Sequence, residues 1–222
     1  MRKLVIAIDG PSGVGKGTVA RVLAGTLGYR HVDSGAMYRA VGWQAIERGI
    51  SLEDESAVAD LARTAQLDLT SDRIAINGID VTRAIRTPAI DKAAAAVARL
   101  PHVRALLVDR QRQMGEDGGI VMEGRDIGTV VFPAADVKIY LDATPEERAR
   151  RRAADPAHTA GPLGVAEVAS ALTARDQSDR TRAVSPLYAA DDAAVIDTTA
   201  KPIAEVVAAV SAIVDRALAS AN

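Results

Sequence analysis

Cysteine is absent from this 222-residue chain, and aromatic residues make up only 3% of it, with one Trp and one Phe. Without cysteine, the chain has no disulfide, no thiolate metal site and no cysteine nucleophile. With so few aromatic side chains, the core must be built from Ala, Val, Leu and Ile. An excess of positive charge is also missing, since the net charge is −2. A general nucleic-acid binder is usually basic, so the composition argues against that class.

Long apolar runs are missing as well. No run of 18 apolar residues occurs, so we expect no transmembrane helix. The charged start at 1–3 is followed by the apolar run Leu4–Ile8, which stops at Asp9. Five apolar residues are too few for the central region of a secretory signal peptide. We therefore predict a buried strand there, a cytoplasmic location, no membrane partner and, by default, a monomer.

Apolar runs that alternate with helical patterns predict an α/β fold with a parallel, doubly wound sheet. Five runs predict buried strands, at 4–8, 29–32, 120–122, 137–141 and 194–196. Helical patterns lie at about 15–27, 35–48, 53–66, 88–114 with a break near Pro101, 145–154, 165–177 and 202–219. At about 150 residues per domain, the length predicts a single domain over 1–222, with room for insertions.

Residues 67–86 show a different pattern of apolar and polar residues from the rest of the chain. Apolar and polar residues alternate there, and Asn77-Gly78 is a strong signal for a two-residue hairpin turn. This stretch predicts small antiparallel strands inserted into the βα chain. A second irregular stretch, 155–164, contains Pro, Gly and His158 and predicts a mobile loop.

The strongest functional signal is a phosphate-binding loop. Its residues are Gly10, Pro11, Ser12, Gly13, Val14, Gly15, Lys16, Gly17 and Thr18. The segment follows a predicted strand and opens a helix, which is the context a P-loop requires. Glycines let backbone N–H groups converge on a phosphate, the helix N-terminus favours the anion, and Lys16 adds positive charge near the β- and γ-phosphates. The alternative, a tight glycine turn without function, is disfavoured because all fixed positions and both flanks match.

Two further segments follow predicted strands. Ser34 and Arg39 lie on the second predicted helix, where they are either a helix cap and a solvated side chain or a binding site for an acceptor phosphate. Glu123, Arg125 and Asp126 follow the third strand, where open α/β sheets bind ligands. An acidic residue at the end of a buried strand is typical of a carboxylate that orients Mg²⁺, and the alternative is a surface ion pair beside a turn. We expect Thr18, Glu123 and waters to hold the metal.

An arginine-rich region surrounds the irregular stretch at 155–164. Arg148, Arg150, Arg151 and Arg152 precede it, and Arg175, Asp179, Arg180 and Arg182 follow it. Such charges are often a solvated face. Phosphoryl transfer, however, spreads negative charge over the equatorial oxygens, and arginines on a closing lid would stabilise that charge and exclude water.

Together these segments resemble bacterial cytidylate kinases. The matching pieces are 10–18, Asp-Ser-Gly-Ala-Met-Tyr-Arg at 33–39, Ile-Arg-Thr at 85–87, Pro-His-Val-Arg at 101–104, Gly-Arg-Asp-Ile-Gly-Thr-Val-Val-Phe-Pro at 124–133 and Arg-Thr-Arg-Ala-Val-Ser-Pro-Leu at 180–187. The resemblance spans almost the whole chain. It implies a P-loop three-layer fold with a five-stranded parallel sheet, a small β-rich CMP-binding insert at about 60–95 and a lid at about 150–164.

The resemblance also implies an activity and residue roles. ATP with Mg²⁺ would donate a phosphoryl group to CMP or dCMP, with Lys16, Arg125 and Arg148 as catalytic residues. The acceptor phosphate would contact Ser34, Arg39 and Arg125. Cytosine would face Arg104, Asp126 and Arg182. The ribose would meet Asp179 together with Arg175.

Two positions depart from the pattern of the family. Ala95 stands where the family usually has a serine that contacts the base, and Glu123 stands where it often has Asp. The first departure predicts weaker binding of CMP with the same class of reaction. Two rival hypotheses remain: a kinase for UMP, AMP or a small metabolite, and a P-loop regulatory switch. The chain lacks the Asn-Lys-x-Asp string that a GTPase switch normally carries.

Overall fold

The computed structural model describes residues 3–155 and 165–220, with the side chain of residue 165 excluded. Its strands, numbered in chain order, are β1 (Val5–Asp9), β2 (Arg30–Asp33), β3 (Leu67–Leu69), β4 (Ile74–Ile76), β5 (Ile79–Asp80), β6 (Ile120–Gly124), β7 (Val137–Asp142) and β8 (Ala194–Asp197). Five of them form one sheet in the order β2-β6-β1-β7-β8, and every neighbouring pair in it is parallel. The predicted five-stranded parallel sheet is therefore confirmed.

Helices cover both faces of this sheet. They are α1 (Lys16–Leu27), α2 (Ser34–Glu47), α3 (Glu55–Thr64), α4 (Pro88–Val97), α5 (Pro101–Met114), α6 (Pro145–Ala153), α7 (Val165–Thr181) and α8 (Ile203–Ser220). Within the two described ranges, no helix is both long enough and apolar enough to cross a membrane.

Alternation along β1 divides the core into two layers. Ala7 is packed in one layer, with Met37 of α2 and Leu107 of α5. Ile6 and Ile8 belong to the other layer, which α1 and α8 cover. Because successive side chains of a strand point to opposite faces, a run such as Val5–Ile8 must be apolar throughout when both faces are covered. The two layers give the sheet the three-layer architecture expected for this fold.

The small antiparallel sheet is also present. Its order is β3-β4-β5, and Asn77 and Gly78 have φ angles of 51° and 80° at the turn between β4 and β5. Positive φ at both central residues is the conformation that an Asn-Gly hairpin turn adopts. The hairpin prediction is thus confirmed.

The structure corrects one local prediction, adds one element and leaves one predicted loop largely outside its described residues. Helix α2 begins at Ser34, and its cap is Asp33, whose carboxylate accepts a hydrogen bond from the N–H of Ala36 at 3.0 Å. A turn of π-type helix at Ile127–Val131 follows β6 and was not predicted, because five residues are too few to show a helical period. Of the loop predicted at 155–164, residues 156–164 lie outside the described part of the chain.

Candidate active site

One cavity of about 660 Å³ opens at the carboxyl ends of β1 and β6. This is the edge of a parallel sheet at which open α/β folds bind ligands. The predicted site residues that line it are Ser12, Gly13, Gly15, Lys16, Gly17, Thr18, Ser34, Arg39, Arg104, Glu123, Arg125, Asp126, Arg175, Asp179 and Arg182. Four other predicted residues, Gly10, Pro11, Val14 and Arg148, support this lining without forming part of it. Tertiary folding therefore brings the sequence segments named above together in one cleft.

The phosphate loop runs from the end of β1 into α1 over a tightly packed base. Gly10 has a φ of 145°, and a Cβ at this position would lie 2.0 Å from the carbonyl oxygen of Leu141. Only glycine fits there. Lys16 is buried, and its ammonium group donates a hydrogen bond to the carbonyl of Pro11 at 2.7 Å. The loop thus curls around the Lys16 side chain and faces it toward the cavity.

The surroundings of Lys16 shift its pKa. Burial, reinforced by the positive charge of Arg125, lowers the pKa of Lys16 to about 7, although Glu123 and other acids act in the opposite direction. An ammonium group held in a dry pocket lacks the water that normally stabilises it. A phosphate placed beside it would supply the missing negative charge. The pocket is therefore built to hold an anion.

The carboxylate of Glu123 lies against the first turn of α1. A Cβ at Gly17 would lie 2.9 Å from Glu123 Oε1, so glycine replaces the usual Ser or Thr where this carboxylate needs the space. His31 Nε2 lies 3.3 Å from the same oxygen and orients the carboxylate. His31, to which no sequence motif assigned a role, is thus packed against a site residue.

Glu123 and Thr18 are two residues of the cleft whose chemistry fits a hard cation. Both line the cavity, and both carry the oxygen ligands that Mg²⁺ prefers. Residues 3–155 and 165–220 contain no group of three His, Asp or Glu side chains able to hold a metal by themselves. Mg²⁺ bound through one or two protein oxygens, waters and substrate phosphates needs no such cage.

The close approach of Gly17 to Glu123 leads to a first prediction. A Gly17→Ala variant is expected to lower kcat about tenfold, which corresponds to roughly 1.4 kcal/mol of barrier, because the added methyl displaces the Glu123 carboxylate. Steady-state kinetics with the nucleotide substrates measures the change. Gly25→Ala on the same helix is the matched control, since a Cβ there meets nothing within 4 Å. Equal kcat values for the two variants would contradict the prediction.

The start of α2 places the positive charge of Arg39 at the cavity. Arg39 donates a hydrogen bond to the Asp33 carboxylate at 2.6 Å, and its buried Nε has no hydrogen-bond partner among the residues that the structure describes. Burial opposes ionisation of Asp33, but Arg39 and Arg86 outweigh that effect and lower its pKa. The Ser34 hydroxyl donates to the Glu123 carbonyl at 2.7 Å. Asp33 therefore fixes a guanidinium whose remaining donors are available to a ligand.

A buried ion pair lies on the other side of the cleft. The Arg104 guanidinium bonds to Asp126 and, at 3.3 Å, to the carbonyl of Ala98. Both side chains are nearly inaccessible, with 2% and 8% exposed. The guanidinium also lies over the Tyr38 ring, 5.5 Å from its centre, and Arg104 Nε has no hydrogen-bond partner in the described part of the chain. A planar donor and a carboxylate held side by side in a dry pocket can read the polar edge of a nucleobase.

Asp9 fixes the turn that carries Asp126. Its two carboxylate oxygens accept hydrogen bonds from the N–H groups of Ile127 and Gly128, at 2.8 and 2.7 Å. Burial raises the pKa of Asp9 to about 6, despite those two bonds. Sequence reasoning assigned Asp9 no role; an acidic residue at the end of a fully buried strand was the available signal.

Asp179 ties α7 to the turn after β6. Its carboxylate accepts from Arg125 Nε at 3.0 Å and from Arg182 Nη1 at 3.5 Å. Burial alone would raise the pKa of Asp179, but the charge of Arg125, followed by those of two further arginines, outweighs burial and lowers it. Arg175, Asp179 and Arg182 are spaced four and three residues apart, as on one face of a helix, and all three line the cleft.

Arg148 occupies a different place from the one its role predicts. Its guanidinium bonds to Asp176 and to the carbonyl of Ser12 at 3.2 Å, so it lies beneath the phosphate loop and outside the cavity lining. Arg152, four residues later, lines the cavity in its place. The four arginines of α6 therefore face different surroundings, which a charge run in a sequence does not reveal.

Comparison with known proteins gives a consistent family. The family model described as cytidylate kinase matches residues 6–216. A cytidylate kinase from Pelotomaculum thermopropionicum is 48% identical over 207 residues, covering 91% of this chain and 92% of the relative. Another from Solibacter usitatus is 47% identical over 215 residues, covering 96% and 93%.

Solved structures agree on the fold. A gluconokinase from Sinorhizobium meliloti superposes with a TM-score of 0.51 at 17% identity, covering 97% of this chain and 94% of that one. An uncharacterized protein from Eubacterium ventriosum reaches a TM-score of 0.56 at 10% identity, covering 96% and 99%. At such low identities the likeness concerns the fold alone.

Proposed function

This chain belongs to the cytidylate kinase family, and we propose that its cleft transfers the γ-phosphoryl group of ATP to CMP or dCMP. The observation that carries the proposal is that the phosphate loop with Lys16 and the buried Arg104–Asp126 pair open into the same cavity. One end of the cavity suits a polyphosphate, and the other suits a polar base. A regulatory switch would need only the first.

At the donor end, the loop 10–18 and Lys16 would hold the phosphates of ATP. Mg²⁺, when bound, would neutralise phosphate charge, with Thr18 and Glu123 as its protein partners, directly or through water. Arg148 would act from beneath the loop by holding the Ser12 carbonyl. Arg148 would then be a positioning residue, which fixes the loop that surrounds the phosphates.

At the acceptor end, Ser34, Arg39 and Arg125 would hold the acceptor phosphate. Cytosine has hydrogen-bond acceptors at its ring nitrogen and carbonyl, to which Arg104 and Arg182 can donate. It also has an amino group, from which the Asp126 carboxylate can accept a hydrogen bond. Uracil has a carbonyl in place of the amino group, and its lone pairs would face the Asp126 carboxylate. An unpaired buried polar group costs about 1–3 kcal/mol, so UMP is disfavoured.

The transfer would proceed in line, without a covalent intermediate. An acceptor phosphate oxygen would bond to the γ-phosphorus while the bond from that phosphorus to the β,γ-bridging oxygen breaks and ADP leaves. Lys16 and Arg125 would stabilise the charge on the transferring group. Asp179 and Arg175 would contact the ribose. We further propose that residues 60–95 form the acceptor-binding insert and 150–164 the lid, and that the enzyme is a cytoplasmic monomer.

A coupled assay of ADP release tests the proposal. It contains ATP and Mg²⁺ and presents CMP, dCMP, UMP and AMP separately. We expect turnover with CMP and dCMP well above that with UMP and AMP. Preference for another monophosphate would retain the kinase and reject the base site. Absence of turnover with all four would reject the proposed function.

A second prediction concerns Ala95, which lines the cavity from α4. We expect an Ala95→Ser variant to lower the KM for CMP several-fold at unchanged kcat, because a hydroxyl there adds a hydrogen bond worth about 1 kcal/mol. Initial-rate kinetics at varied CMP measures the effect. Ala96→Ser, one residue away and outside the cavity lining, is the control. An unchanged or higher KM for Ala95→Ser would count against the assigned base site.

A further inference from the structure

One carboxylate joins three helices at the mouth of the cleft. Asp91, on α4, accepts a hydrogen bond from Arg152 Nη2 of α6 at 2.5 Å. Its other oxygen accepts from Arg175 Nη1 of α7 at 2.9 Å. Between 16% and 18% of each side chain is exposed, so all three are largely shielded from water. Asp91 is thus the shared counter-ion of two arginines that approach from different helices.

The two arginines face the cavity, but Asp91 does not. Both guanidinium groups line it, whereas Asp91 is not among the lining residues. Each guanidinium has five N–H donors, and the contact with Asp91 uses one nitrogen of each. Arg175 Nε is buried, and within the described ranges 3–155 and 165–220 it has no hydrogen-bond partner. The arginines therefore keep donors and charge for a ligand while Asp91 holds them from behind.

The cleft would be electrostatically strained without this carboxylate. Burial, followed by the positive charge of Arg125, lowers the pKa of Arg175, and Asp91 acts in the opposite direction. Burial also lowers the pKa of Arg152, and Asp91 again acts in the opposite direction. Two like charges in a shielded site repel each other, and a carboxylate between them offsets that repulsion. The position of the pair thus depends on Asp91.

From this geometry we propose that Asp91 is a positioning residue for phosphoryl transfer, which holds Arg152 and Arg175 as one fixed pair facing the substrate anions. The inference rests on the proposed function and extends it to a residue that touches no substrate. Asp91 lies one turn before Ala95 on α4, within the proposed insert, whereas the arginines lie on the helices that flank residues 156–164. The contact therefore connects the acceptor side of the cleft with the arginine side.

The proposal predicts opposite effects on turnover and binding. In Asp91→Asn the guanidinium groups lose their common anchor, and a misplacement of about 1 Å can cost roughly 100-fold in rate, so we expect kcat to fall about 10- to 100-fold. One negative charge is also removed from the edge of an anion site, so the KM for CMP should stay the same or fall. A merely structural role would raise KM and lower the melting temperature instead.

Steady-state kinetics on five variants tests this, beginning with Asp91→Asn. Asp91→Glu, which keeps the carboxylate, should recover most of the lost kcat. Asp109→Asn is the matched control, because Asp109 pairs with Arg112 on the exposed face of α5, and its kcat should equal that of the wild type. In an Arg152→Gln/Arg175→Gln background, adding Asp91→Asn should cause no further loss, since Asp91 acts through these two residues.

The outcomes separate this inference from the proposed function. A wild-type chain that phosphorylates no nucleoside monophosphate overturns the function. An active wild type with an unchanged kcat in Asp91→Asn, or an equal loss in the arginine-free background, overturns only the role of Asp91. Nitrogen NMR of the guanidinium groups gives a readout without turnover: hindered rotation of Arg152 and Arg175 in the wild type should become free in Asp91→Asn, and identical spectra would refute the anchor.

Discussion

Replacement of Lys16 by methionine is expected to lower kcat about 100- to 1,000-fold and to leave the fold intact. The expected loss is the usual range for removing one group that stabilises charge in a water-excluded site. Methionine keeps the apolar stem and removes the ammonium group, which is the charge closest to the phosphates in the proposed site. Single-turnover kinetics with ATP and CMP measures the chemical step directly.

The stability of this variant follows from the sign of the pKa shift. Folding lowers the pKa of Lys16 from 10.5 to about 7, so the charged form is penalised in the empty protein. That penalty is fully present below pH 7 and disappears as the pH rises above 10.5. Lys16→Met should therefore melt no lower than the wild type at pH 6.

A control and a refuting result are available for Lys16→Met. Lys92→Met removes an exposed lysine of α4 and should retain wild-type kcat. If Lys16→Met turned over at a rate within a few-fold of that control, Lys16 would have no catalytic role and the reading of the phosphate loop as a catalytic element would fail.

Replacement of Asp126 by asparagine is expected to change which base the enzyme accepts. We expect kcat/KM for CMP to fall about 100- to 10,000-fold, because the amide offers its N–H groups where cytosine also offers a donor. Uracil places a carbonyl there and would gain a partner, so the preference for CMP over UMP should shrink or reverse. Competition assays with the two monophosphates measure the ratio of their kcat/KM values.

Asp126→Asn should also be destabilised. Asp126 is the buried partner of Arg104, and Arg182 lies 3.7 Å away. Loss of one member of a buried ion pair leaves an uncompensated charge and costs about 3–5 kcal/mol. Thermal melting therefore accompanies the kinetics, with Asp68→Asn in the exposed pair with Arg73 as the control. An unchanged ratio of CMP to UMP in a folded Asp126→Asn enzyme would refute the base site.

Local sequence signals determined much of the fold. The continuous apolar run at the start of β1, the glycine loop and the helix after it are encoded within about 25 consecutive residues, and each was predicted within a few residues of its bounds. Asn77-Gly78 likewise fixed a hairpin, because the required positive φ angles are properties of those two residues. The break at Pro101 was predicted for the same kind of reason, since proline fits the first turn of a helix and not its interior.

The partners of charged side chains were harder to predict from the sequence. The run at 148–152 is arginine-rich, but its members have different sets of partners. Arg150 bonds to Glu147, Arg151 to Glu147 and Thr198, and Arg152 to Asp91. Consecutive residues of a helix are about 100° apart and so face different neighbours. A pattern of charge along the chain does not reveal which carboxylate lies beside which guanidinium.

The phosphate loop, the strands and the set of polar residues at their ends are therefore predictable from local sequence, because they depend on neighbours a few positions away. The three-dimensional fold was needed to show that Asp9 holds the turn after β6, 118 residues later, and that Asp91 joins arginines 61 and 84 residues further along the chain. Such contacts depend on distance in space. Hydrogen bonds and ion pairs act over about 3–4 Å, and folding alone brings these groups so close.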